Sequence, residues 1–354
     1  MTQRVAIICG GISSEHEISC ISGGSVFKAI DRSLYEPVLI GITKSGRWVL
    51  VPETLNLAIV DGVLPTIPED APTVVADVAG FSAGGVDLKI DIAFPVLHGP
   101  YGEDGTIQGF FEIAGIPYVG SGVLASAVAM DKSFAKPIFA AHGMAVAEGF
   151  AITTAQRASG LTDEVKKASQ LGYPLFVKPA RGGSSRGTVK VKREEDFLAA
   201  VDEALSFDTK AMVEKAIIGA EIECAVLNIG GEIKASTVGQ IWIDPKFEFY
   251  DFESKYLDGA TTILLPAPID PSLATAIQGK AIEAFNALGC VGLARVDFFL
   301  TPTGDVIINE LNTMPGFTST SVFPKMWAQS GVEYSEIITY LLKSALNRTS
   351  SPRL

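Results

Sequence analysis

The chain has 354 residues, of which 47% are hydrophobic and 19% are charged, and its formal net charge is -12. This composition is typical of a globular chain of about two or three domains and excludes a largely disordered one. The acidic balance argues against non-specific binding to nucleic acid or to an anionic membrane surface. An anionic ligand would therefore need a local basic pocket or a metal ion.

Cysteine usage and the N-terminal sequence indicate a cytoplasmic protein. The four cysteines lie far apart without a Cys-x-x-Cys pair, which is typical of buried, reduced thiols, and the three histidines lack the spacing of a zinc site. The first residues lack the apolar length of a signal peptide. The uncharged stretch 113–130 contains Pro117 and three glycines, so it favours a loop, a strand and the start of a helix over a membrane span.

Strands and helices alternate over the first 130 residues. Strands are predicted at RVAIICGG, EPVLIGI, GRWVLV, DIAFPVLHG and IPYVGS, and helices at SSEHEISCISGGSVFKAI and GTIQGFFEIAG. Residues 52–85 are rich in proline, glycine, alanine and aspartate, which indicates a loose insertion. The alternation predicts an open parallel sheet with helices on its faces.

A second unit begins at DKSFAKPIFAAHGM. A helix is predicted there, and it leads to LTDEVKKASQLG. Helices are also predicted at REEDFLAAVDEAL and SLATAIQGKAIEAFNALG; the apolar face of the former consists of Phe197, Ala200, Val201 and Ala204. Strands are predicted at AMVEKAI, EIECAVL, EIKASTVGQIWI, GLARVDFFL and DVIINEL, the last two paired across TPTGD. Between Ile243 and Leu265 the sequence has no clear period, and long loops of this kind often act as lids.

The stretch FVKPARGGSSRGTVKV, residues 176–191, places a loop of glycine, serine and arginine between two strand-like runs. Backbone N–H groups of such a loop can close around phosphate oxygens, and Lys178, Arg181 and Arg186 add positive charge. No Gly-Lys-Ser or Gly-Lys-Thr opens a helix here, so the loop is not a P-loop. It predicts a site for an anion, although a plain surface turn can have the same composition.

Four polar side chains in ARVDFF and NELN predict a metal site. Residues two apart in a strand share a face, so Arg295 and Asp297 point the same way, as do Glu310 and Asn312. Two carboxylates and an amide oxygen suit Mg²⁺, which shares its oxygen ligands with substrate phosphates. A solvated sheet face explains the first pair, but the apolar residues that flank the second pair favour a buried site.

Together these features resemble the ATP-grasp superfamily, and within it the D-alanine–D-alanine ligase family. The resemblance covers about residues 4–345 and is carried by GGISSEHEIS, HGPYGEDGTIQGFFE, MDKSFAK, VKPARGGSSRG, VEKAIIGAEIECAVL, FYDFESKYLDGATT, ARVDFF and NELNTMPGFTSTS. HGPYGEDG and NELNTMPGFTSTS are the most specific of these and the glycine loop is the least. The α/β fold implied is an ATP-grasp fold with an N-terminal open parallel α/β domain (1–130), a central α+β ATP-binding subdomain (131–220) and a C-terminal α+β subdomain (221–354) with a lid loop at 244–265.

The resemblance implies an activity: ATP-dependent ligation of two D-alanine molecules through D-alanyl phosphate, for peptidoglycan precursor synthesis in a bacterial cytoplasm. ATP would be the co-substrate with two Mg²⁺ ions, for which Mn²⁺ can substitute, and the enzyme would be a homodimer that binds neither nucleic acid nor membrane. Ligases that use D-serine or D-lactate as the second substrate are the alternatives. In the resembled family a tyrosine at the position of Tyr256 goes with amine acceptors, whereas D-serine differs from D-alanine by one hydroxyl only.

For ATP and metal the resemblance implies four groups of residues. The phosphates would be held by Lys132, Lys178, Lys255 and a flap of Gly183, Ser184 and Ser185. The adenine would be read by Glu214, Lys215 and the backbone near Ile217. The ribose hydroxyls would be held by Glu221. The metal ligands would be Asp297, Glu310 and Asn312.

For the amino acids the resemblance implies residues on both sides of the reacting carboxylate. Glu15 would pair with the ammonium of the first D-alanine, with His98 close to it. Arg295 and the Gly316 N–H would face the developing oxyanion. The carboxylate of the second substrate would be held by Ser321 and the Val322 backbone. A hydrogen-bonded bridge that pins the lid loop over the site would consist of Ser184, Tyr256 and Glu15.

Simpler interpretations exist for several of these residues. Glu15 could be a first-turn helix acid, His98 a strand-end histidine bonded to backbone, and Tyr256 an ordinary loop aromatic. VAIICGG is compatible with a dinucleotide-dependent dehydrogenase, but G-x-G-x-x-G and the acidic residue after the second strand are absent. A non-catalytic ATP-binding regulator would be expected to lose the polar residues of ARVDFF and NELN, and all are present.

Overall fold

The computed structural model describes residues 2–183, 185–243 and 261–348. Its strands, β1 to β18 in chain order, are Gln3–Gly10, Tyr35–Ile42, Trp48–Leu50, Val74–Asp77, Gly80–Ala83, Val86–Asp87, Ile92–Pro95, Ala145–Val146, Gly149–Thr153, Leu175–Pro179, Val189–Val191, Lys210–Lys215, Ala220–Ile229, Glu232–Ala235, Gly239–Ile243, Thr261–Leu264, Leu293–Leu300 and Val306–Asn312. Its helices, α1 to α10, are His16–Ala29, Thr106–Ala114, Val123–Met130, Lys132–Ala141, Thr154–Ser159, Thr162–Leu171, Phe197–Phe207, Pro271–Ala287, Val322–Gln329 and Tyr334–Leu346.

The N-terminal sheet has the order β3-β2-β1-β7. Strand β1 pairs in parallel with β2 and β7, and only the edge strand β3 is antiparallel. The core residues Val5 to Cys9 of β1 are fully buried, because one face packs on the cluster that includes Cys20 and Val26 of α1 and the other on Phe111 of α2. The predicted open parallel sheet is confirmed, with one antiparallel edge.

Two predictions for this region are wrong in detail. The insertion 52–85 is not loose throughout, because β4, β5 and β6 form a small antiparallel sheet at its end. IPYVGS does not form a strand: it makes one isolated parallel β-bridge, between its Tyr118 and Ala93 of β7. Pro117 has no N–H and Gly120 has a φ of 100°, so neither residue can extend the pairing.

The second sheet, β11-β10-β12-β9, is antiparallel and flanks the glycine loop. The loop leaves β10 and returns as β11, as its sequence predicts. Helix α7 covers one face of the sheet, and its buried residues are those predicted: Phe197, Ala200, Val201 and Ala204.

The third sheet has the order β16-β15-β13-β17-β18-β8, with β14 paired to β13. Strands β17 and β18 form the predicted hairpin, in which Arg295 faces Asn312 and Asp297 faces Glu310. Helix α8 packs on the sheet through Ile277, Ala281, Ala284 and Phe285. The short strand β8 joins this sheet in parallel with β18, so residues before 220 contribute to it.

Three expectations for the C-terminal half differ from the structure. EIKASTVGQIWI is two strands, β14 and β15: the Ser236 N–H still donates to the Ala225 carbonyl oxygen in register with β13, but the Ala225 N–H donates to Ser236 Oγ at 3.1 Å and not to its carbonyl oxygen, and β14 ends at Ala235. Residues 261–264, expected within the lid loop, form β16. Helices α9 and α10 were not predicted; α10 buries Ile337, Ile338, Leu341 and Leu342 in the same core as α1. In the part of the chain described, no helix has both the length and the apolar character that a membrane crossing requires.

Candidate active site

One cavity of about 440 Å³ opens where the N-terminal sheet, the glycine loop and the β17–β18 hairpin meet. The predicted site residues that line it are Glu15, His98, Lys132, Gly183, Arg295, Glu310, Asn312, Gly316, Ser321 and Val322. These residues lie more than 300 positions apart at the extremes of the chain. The fold therefore brings most of the predicted amino-acid and metal ligands into one space.

The remaining predicted residues either do not line this cavity or are not among the described residues. Those that are described but do not line this cavity are Lys178, Ser185, Glu214, Lys215, Ile217, Glu221 and Asp297. Ser184, Lys255 and Tyr256 lie outside the described residues. The predicted bridge of Ser184, Tyr256 and Glu15 therefore stays a prediction.

Arg295 is held in the sheet by carboxylates on two strands. Its Nε and Nη2 atoms donate to the two oxygens of Asp297, each at 2.7 Å, and its Nε lies 3.3 Å from Glu223 Oε2 on β13. Asn312 donates to Asp297 Oδ2 at 3.1 Å. Burial disfavours the charge of Arg295, but Asp297 and Glu223 outweigh that effect and raise the pKa of the guanidinium well above its ordinary value. The cation is thus fixed in position and in charge.

Lys132 lies opposite this group at the start of α4. Its ammonium contacts Glu310 Oε2 at 2.9 Å and donates to the Gly182 carbonyl oxygen at 3.1 Å. Burial disfavours the charged form of Lys132, yet the neighbouring Glu310 carboxylate prevails and raises the pKa of the ammonium. Lys132 therefore joins the glycine loop to the hairpin and places a positive charge between them.

The oxygen atoms of Asp297, Glu310 and Asn312 fit a hard cation. Among the described residues no three or more histidine, cysteine, aspartate or glutamate side chains are grouped to hold a metal by themselves. Proteins commonly supply only a few oxygen ligands to Mg²⁺, such as two carboxylates and one amide, and phosphate oxygens and water complete its coordination. The donor set is compatible with a metal that binds together with a nucleotide.

A second cluster of charges is centred on Glu214, which does not line this cavity. The buried Glu214 carboxylate contacts Lys178 at 2.7 Å and Lys136. Burial alone would raise the pKa of Glu214, but the two ammonium groups lower it to about 2. Burial lowers the pKa of Lys136 to about 8. The next residue of β12, Lys215, faces the opposite way and is exposed.

Glu15 lies at the turn between β1 and α1, close to two glycines. An added methyl group at Gly99 would lie 2.7 Å from Glu15 Oε2, and one at Gly183 would lie 3.2 Å from the same atom. Ser13 fixes the turn, because its Oγ donates to the His98 carbonyl oxygen at 2.8 Å and accepts from the Glu15 N–H at 3.2 Å. The carboxylate thus approaches both the HGPYGEDG loop and the glycine loop.

His98 is buried, and both of its ring nitrogens have protein partners. Nδ1 donates to the Met314 carbonyl oxygen at 3.1 Å, and Nε2 lies 3.0 Å from Ser22 Oγ. Burial lowers the pKa of His98 despite the nearby Glu15 carboxylate. The side chain therefore joins the N-terminal domain to the loop after β18 as a neutral imidazole.

Three site residues were missed by the sequence reasoning: Glu103, Lys136 and Glu223. Glu103 accepts from the Gly99 N–H at 2.8 Å and from the Met314 N–H at 3.3 Å, so it joins the same two loops as His98. Its place inside HGPYGEDG could have identified it. Lys136 lies one helical turn after Lys132, and Glu223 lies two residues after Glu221 in a strand, so simple periodicity could have indicated both.

Glu103 gives a prediction for pH dependence. Burial, together with the Glu15 charge, raises the pKa of Glu103 to about 8. Because the folded state holds this proton more tightly than the unfolded state, we expect stability to fall as pH rises from about 4.5 to 8, by at most about 1.4 kcal/mol per pH unit. Glu103→Gln should remove this contribution. Unfolding free energies of both proteins, measured across this range, check it; parallel pH curves would contradict it.

The loop after β18 places a helix N-terminus at the cavity. Ser321 precedes α9, and its Oγ accepts from the Thr318 N–H at 3.1 Å. An added methyl group at Gly316 would lie 3.3 Å from this Oγ. Backbone N–H groups at a helix start attract anions, so this end of the cavity suits a carboxylate.

Comparison with known families agrees with this geometry. A family model described as D-ala D-ala ligase N-terminus matches residues 4–121, and one described as D-ala D-ala ligase C-terminus matches residues 138–343. A D-alanine–D-alanine ligase from Mycolicibacterium vanbaalenii is 47% identical, over 99% of this chain and 99% of its own length.

Two solved structures have the same fold. The VanG D-Ala:D-Ser ligase from Enterococcus faecalis has a TM-score of 0.85 and 36% identity, covering 98% of this chain and 100% of its own. The D-alanine–D-alanine ligase from Coxiella burnetii has a TM-score of 0.83 and 35% identity, covering 98% of this chain and 94% of its own.

Proposed function

The chain belongs to the D-alanine–D-alanine ligase family, and we propose that it joins two molecules of D-alanine to D-alanyl-D-alanine in an ATP-dependent reaction. It has the three-domain ATP-grasp fold of that family. The observation that carries the proposal is the shared cavity, in which Glu15, Arg295 and the Lys132–Glu310 pair meet. This set offers an acceptor for an ammonium group, a cation for an oxyanion and oxygens for a metal.

The chemistry requires activation of a carboxylate, which is a poor electrophile. A carboxylate oxygen of the first D-alanine attacks the γ-phosphorus of ATP, and ADP leaves. The amine of the second D-alanine then attacks the carbonyl carbon of the acyl phosphate, loses a proton, and expels phosphate as the peptide bond forms. The enzyme orients the reactants, stabilises charge and excludes water from the acyl phosphate.

Each predicted residue has a role in these steps under the proposal. Glu15 binds the ammonium of the first D-alanine, and Arg295 with the Gly316 N–H stabilises the oxyanion. The N-terminus of α9, with Ser321 and Val322, holds the carboxylate of the second D-alanine. His98 and Glu103 position the loops that carry these groups. The roles proposed for the nucleotide residues remain those predicted from the resemblance: Lys132, Lys178, Gly183, Ser184, Ser185, Glu214, Lys215, Ile217, Glu221 and Lys255.

We also propose the metal requirement implied by the family resemblance, with which the donor set is compatible. Asp297, Glu310 and Asn312 would hold two Mg²⁺ ions between protein and phosphates, and Mn²⁺ would substitute. When bound, the metal neutralises the charge on the phosphates. The contacts of Lys132 with Glu310 and of Arg295 with Asp297 show that both carboxylates already face cations.

The wider biological setting is proposed on the same family resemblance. The division at 1–130, 131–220 and 221–354, the homodimer, the cytoplasmic location and the role in peptidoglycan precursor synthesis all follow from it. The substrates would be D-alanine and ATP, without nucleic acid or membrane as a partner.

D-alanine is the favoured second substrate over D-serine or D-lactate. The identity to the D-alanine–D-alanine ligase of M. vanbaalenii is 47%, against 36% for the D-Ala:D-Ser ligase structure. Tyr256, which goes with amine acceptors in the family, is also present.

Tyr256→Phe tests the proposed bridge to the lid. Because the phenol is expected to hold the lid that favours an amine acceptor, its loss should raise the use of D-lactate relative to D-alanine by about tenfold. Competition assays at fixed total acceptor measure the ratio, with Tyr340→Phe as the matched control. An unchanged ratio in Tyr256→Phe would refute the bridge.

An isotope experiment tests the proposed reaction. D-alanine labelled with ¹⁸O in its carboxylate should transfer one labelled oxygen to inorganic phosphate for each dipeptide formed. Mass spectrometry of the phosphate reads this directly. Unlabelled phosphate alongside dipeptide would exclude the acyl phosphate, since the carboxylate oxygen that is lost on amide formation would then have left with another group, such as AMP or water.

A further inference from the structure

The segment between β3 and β4, residues 52–72, lacks regular secondary structure but is anchored at several points. Leu57 and Ile67 are each only 3% exposed. Ile59, between them in sequence, is 54% exposed and lines the active-site cavity together with Ile18 and Ile21 of α1. The segment therefore contributes directly to the space that holds the substrates.

Close approaches to three glycines fix the course of this segment. An added methyl group at Gly24 of α1 would lie 2.8 Å from Leu57 Cβ. One at Gly41 of β2 would lie 2.5 Å from Ile67 Cγ2, and one at Gly10 of β1 would lie 2.9 Å from Ile67 Cγ1. Side chains at these glycines would displace the segment, so it is seated against the sheet and the helix that carry the substrate-binding turn.

His16, the first residue of α1, ties the segment to that turn. It is fully buried, its Nδ1 lies 2.6 Å from the Gly11 carbonyl oxygen, and its Nε2 accepts from the Ile67 N–H at 3.1 Å. A carbonyl can only accept and an N–H can only donate, so the ring is neutral with its proton on Nδ1. His16 is adjacent to Glu15, and its two bonds thus set the position of that carboxylate.

We propose that residues 52–72 form a wall of the D-alanine site, in which Ile59 contacts the substrate side and His16 is the positioning residue that connects the wall to Glu15. With Ile18 and Ile21, Ile59 gives an apolar surface suited to a small apolar side chain such as a methyl group. The identity of the substrate rests on the proposed function; the wall itself rests on the contacts above.

The first test compares two neighbouring exposed residues. Ile59→Ala should raise the KM for D-alanine between about threefold and tenfold and leave the KM for ATP unchanged, because only the amino-acid site loses contact area. Val60, which is 50% exposed and does not line the cavity, provides the matched control Val60→Ala. Neither change removes a buried side chain, so both proteins should fold. Equal KM values for D-alanine in the two variants would refute the proposal that Ile59 forms part of the D-alanine site.

The second test addresses His16. His16→Leu leaves the buried Ile67 N–H without its acceptor, and we expect the KM for D-alanine to rise about tenfold while the KM for ATP stays constant. His16→Gln keeps one donor and one acceptor and should recover most of this loss. The control is His142→Leu, since His142 is exposed and, among the contacts described, its side chain bonds only the Ile138 carbonyl oxygen of the preceding helix α4.

A purely structural role for His16 would lower the active fraction, and therefore the apparent kcat, without a selective change in KM. That result, or the lack of recovery in His16→Gln, would overturn the positioning role. If the wild-type protein made no dipeptide, the proposed function would fail, and the same variants would be compared by calorimetric binding of D-alanine. Weaker binding in Ile59→Ala and His16→Leu than in the wild type would then still support the proposed wall. Unchanged binding in the variants, or no binding of D-alanine by the wild-type protein, would refute it.

Discussion

Glu310→Gln is expected to lower kcat between about a hundredfold and a thousandfold while leaving the fold intact. The substitution keeps the size of the side chain but removes a carboxylate charge at the position proposed to hold the metal. It also removes the negative partner of Lys132, which lies 2.9 Å away. Steady-state turnover at saturating ATP, D-alanine and Mg²⁺ measures the effect.

The control for this prediction is Glu283→Gln, which makes the same chemical change at an exposed site on α8. Its kcat should equal that of the wild type. The Mg²⁺ concentration needed for half-maximal activity should rise in Glu310→Gln only. Normal turnover in Glu310→Gln would remove the basis of the metal assignment.

Arg295→Met should damage both stability and turnover. The guanidinium is bonded to Asp297 and lies beside Glu223. Its removal leaves the half-buried Asp297 carboxylate and the buried Glu223 carboxylate without their cation, which should lower the unfolding free energy by about 3–5 kcal/mol. In the molecules that remain folded, loss of the cation at the oxyanion should lower kcat by a further factor of about 10² to 10³. Denaturant unfolding and turnover per folded molecule separate the two effects.

Arg295→Lys distinguishes charge from geometry. Lysine retains a positive charge next to Asp297 but cannot make the bidentate contact, so stability should recover in part while kcat stays low. Wild-type turnover in folded Arg295→Met would show that the oxyanion is stabilised by other groups.

The parts of the fold that the sequence predicted are those with strong local patterns. Continuous apolar runs identified β1, β2 and β7, and the helical period of Phe197, Ala200 and Val201 identified the buried face of α7. The misread parts depend on contacts distant in sequence. The segment before β4 is irregular in composition, and its order comes from Leu57 and Ile67, which pack on glycines far from it.

In the candidate site, too, the features predicted correctly follow from local patterns and those missed depend on contacts distant in sequence. Strand alternation was sufficient to place Arg295 with Asp297 on one face, and the hairpin register then brought Asn312 within 3.1 Å of that carboxylate. Glu103 was missed because its partners, the N–H groups of Gly99 and Met314, meet only in the folded chain. Single-sequence patterns carry information about faces of one element, whereas bonds between loops require the tertiary structure.

The most direct test of the central claim is mass spectrometry of the product formed from ATP, Mg²⁺ and an equimolar mixture of D-alanine, D-serine and D-lactate. We predict a dominant D-alanyl-D-alanine peak, with one phosphate released per dipeptide. A dominant D-alanyl-D-serine or D-alanyl-D-lactate peak would contradict the proposed second substrate, and the absence of any ligated product with ATP still bound would contradict the proposed ligase activity.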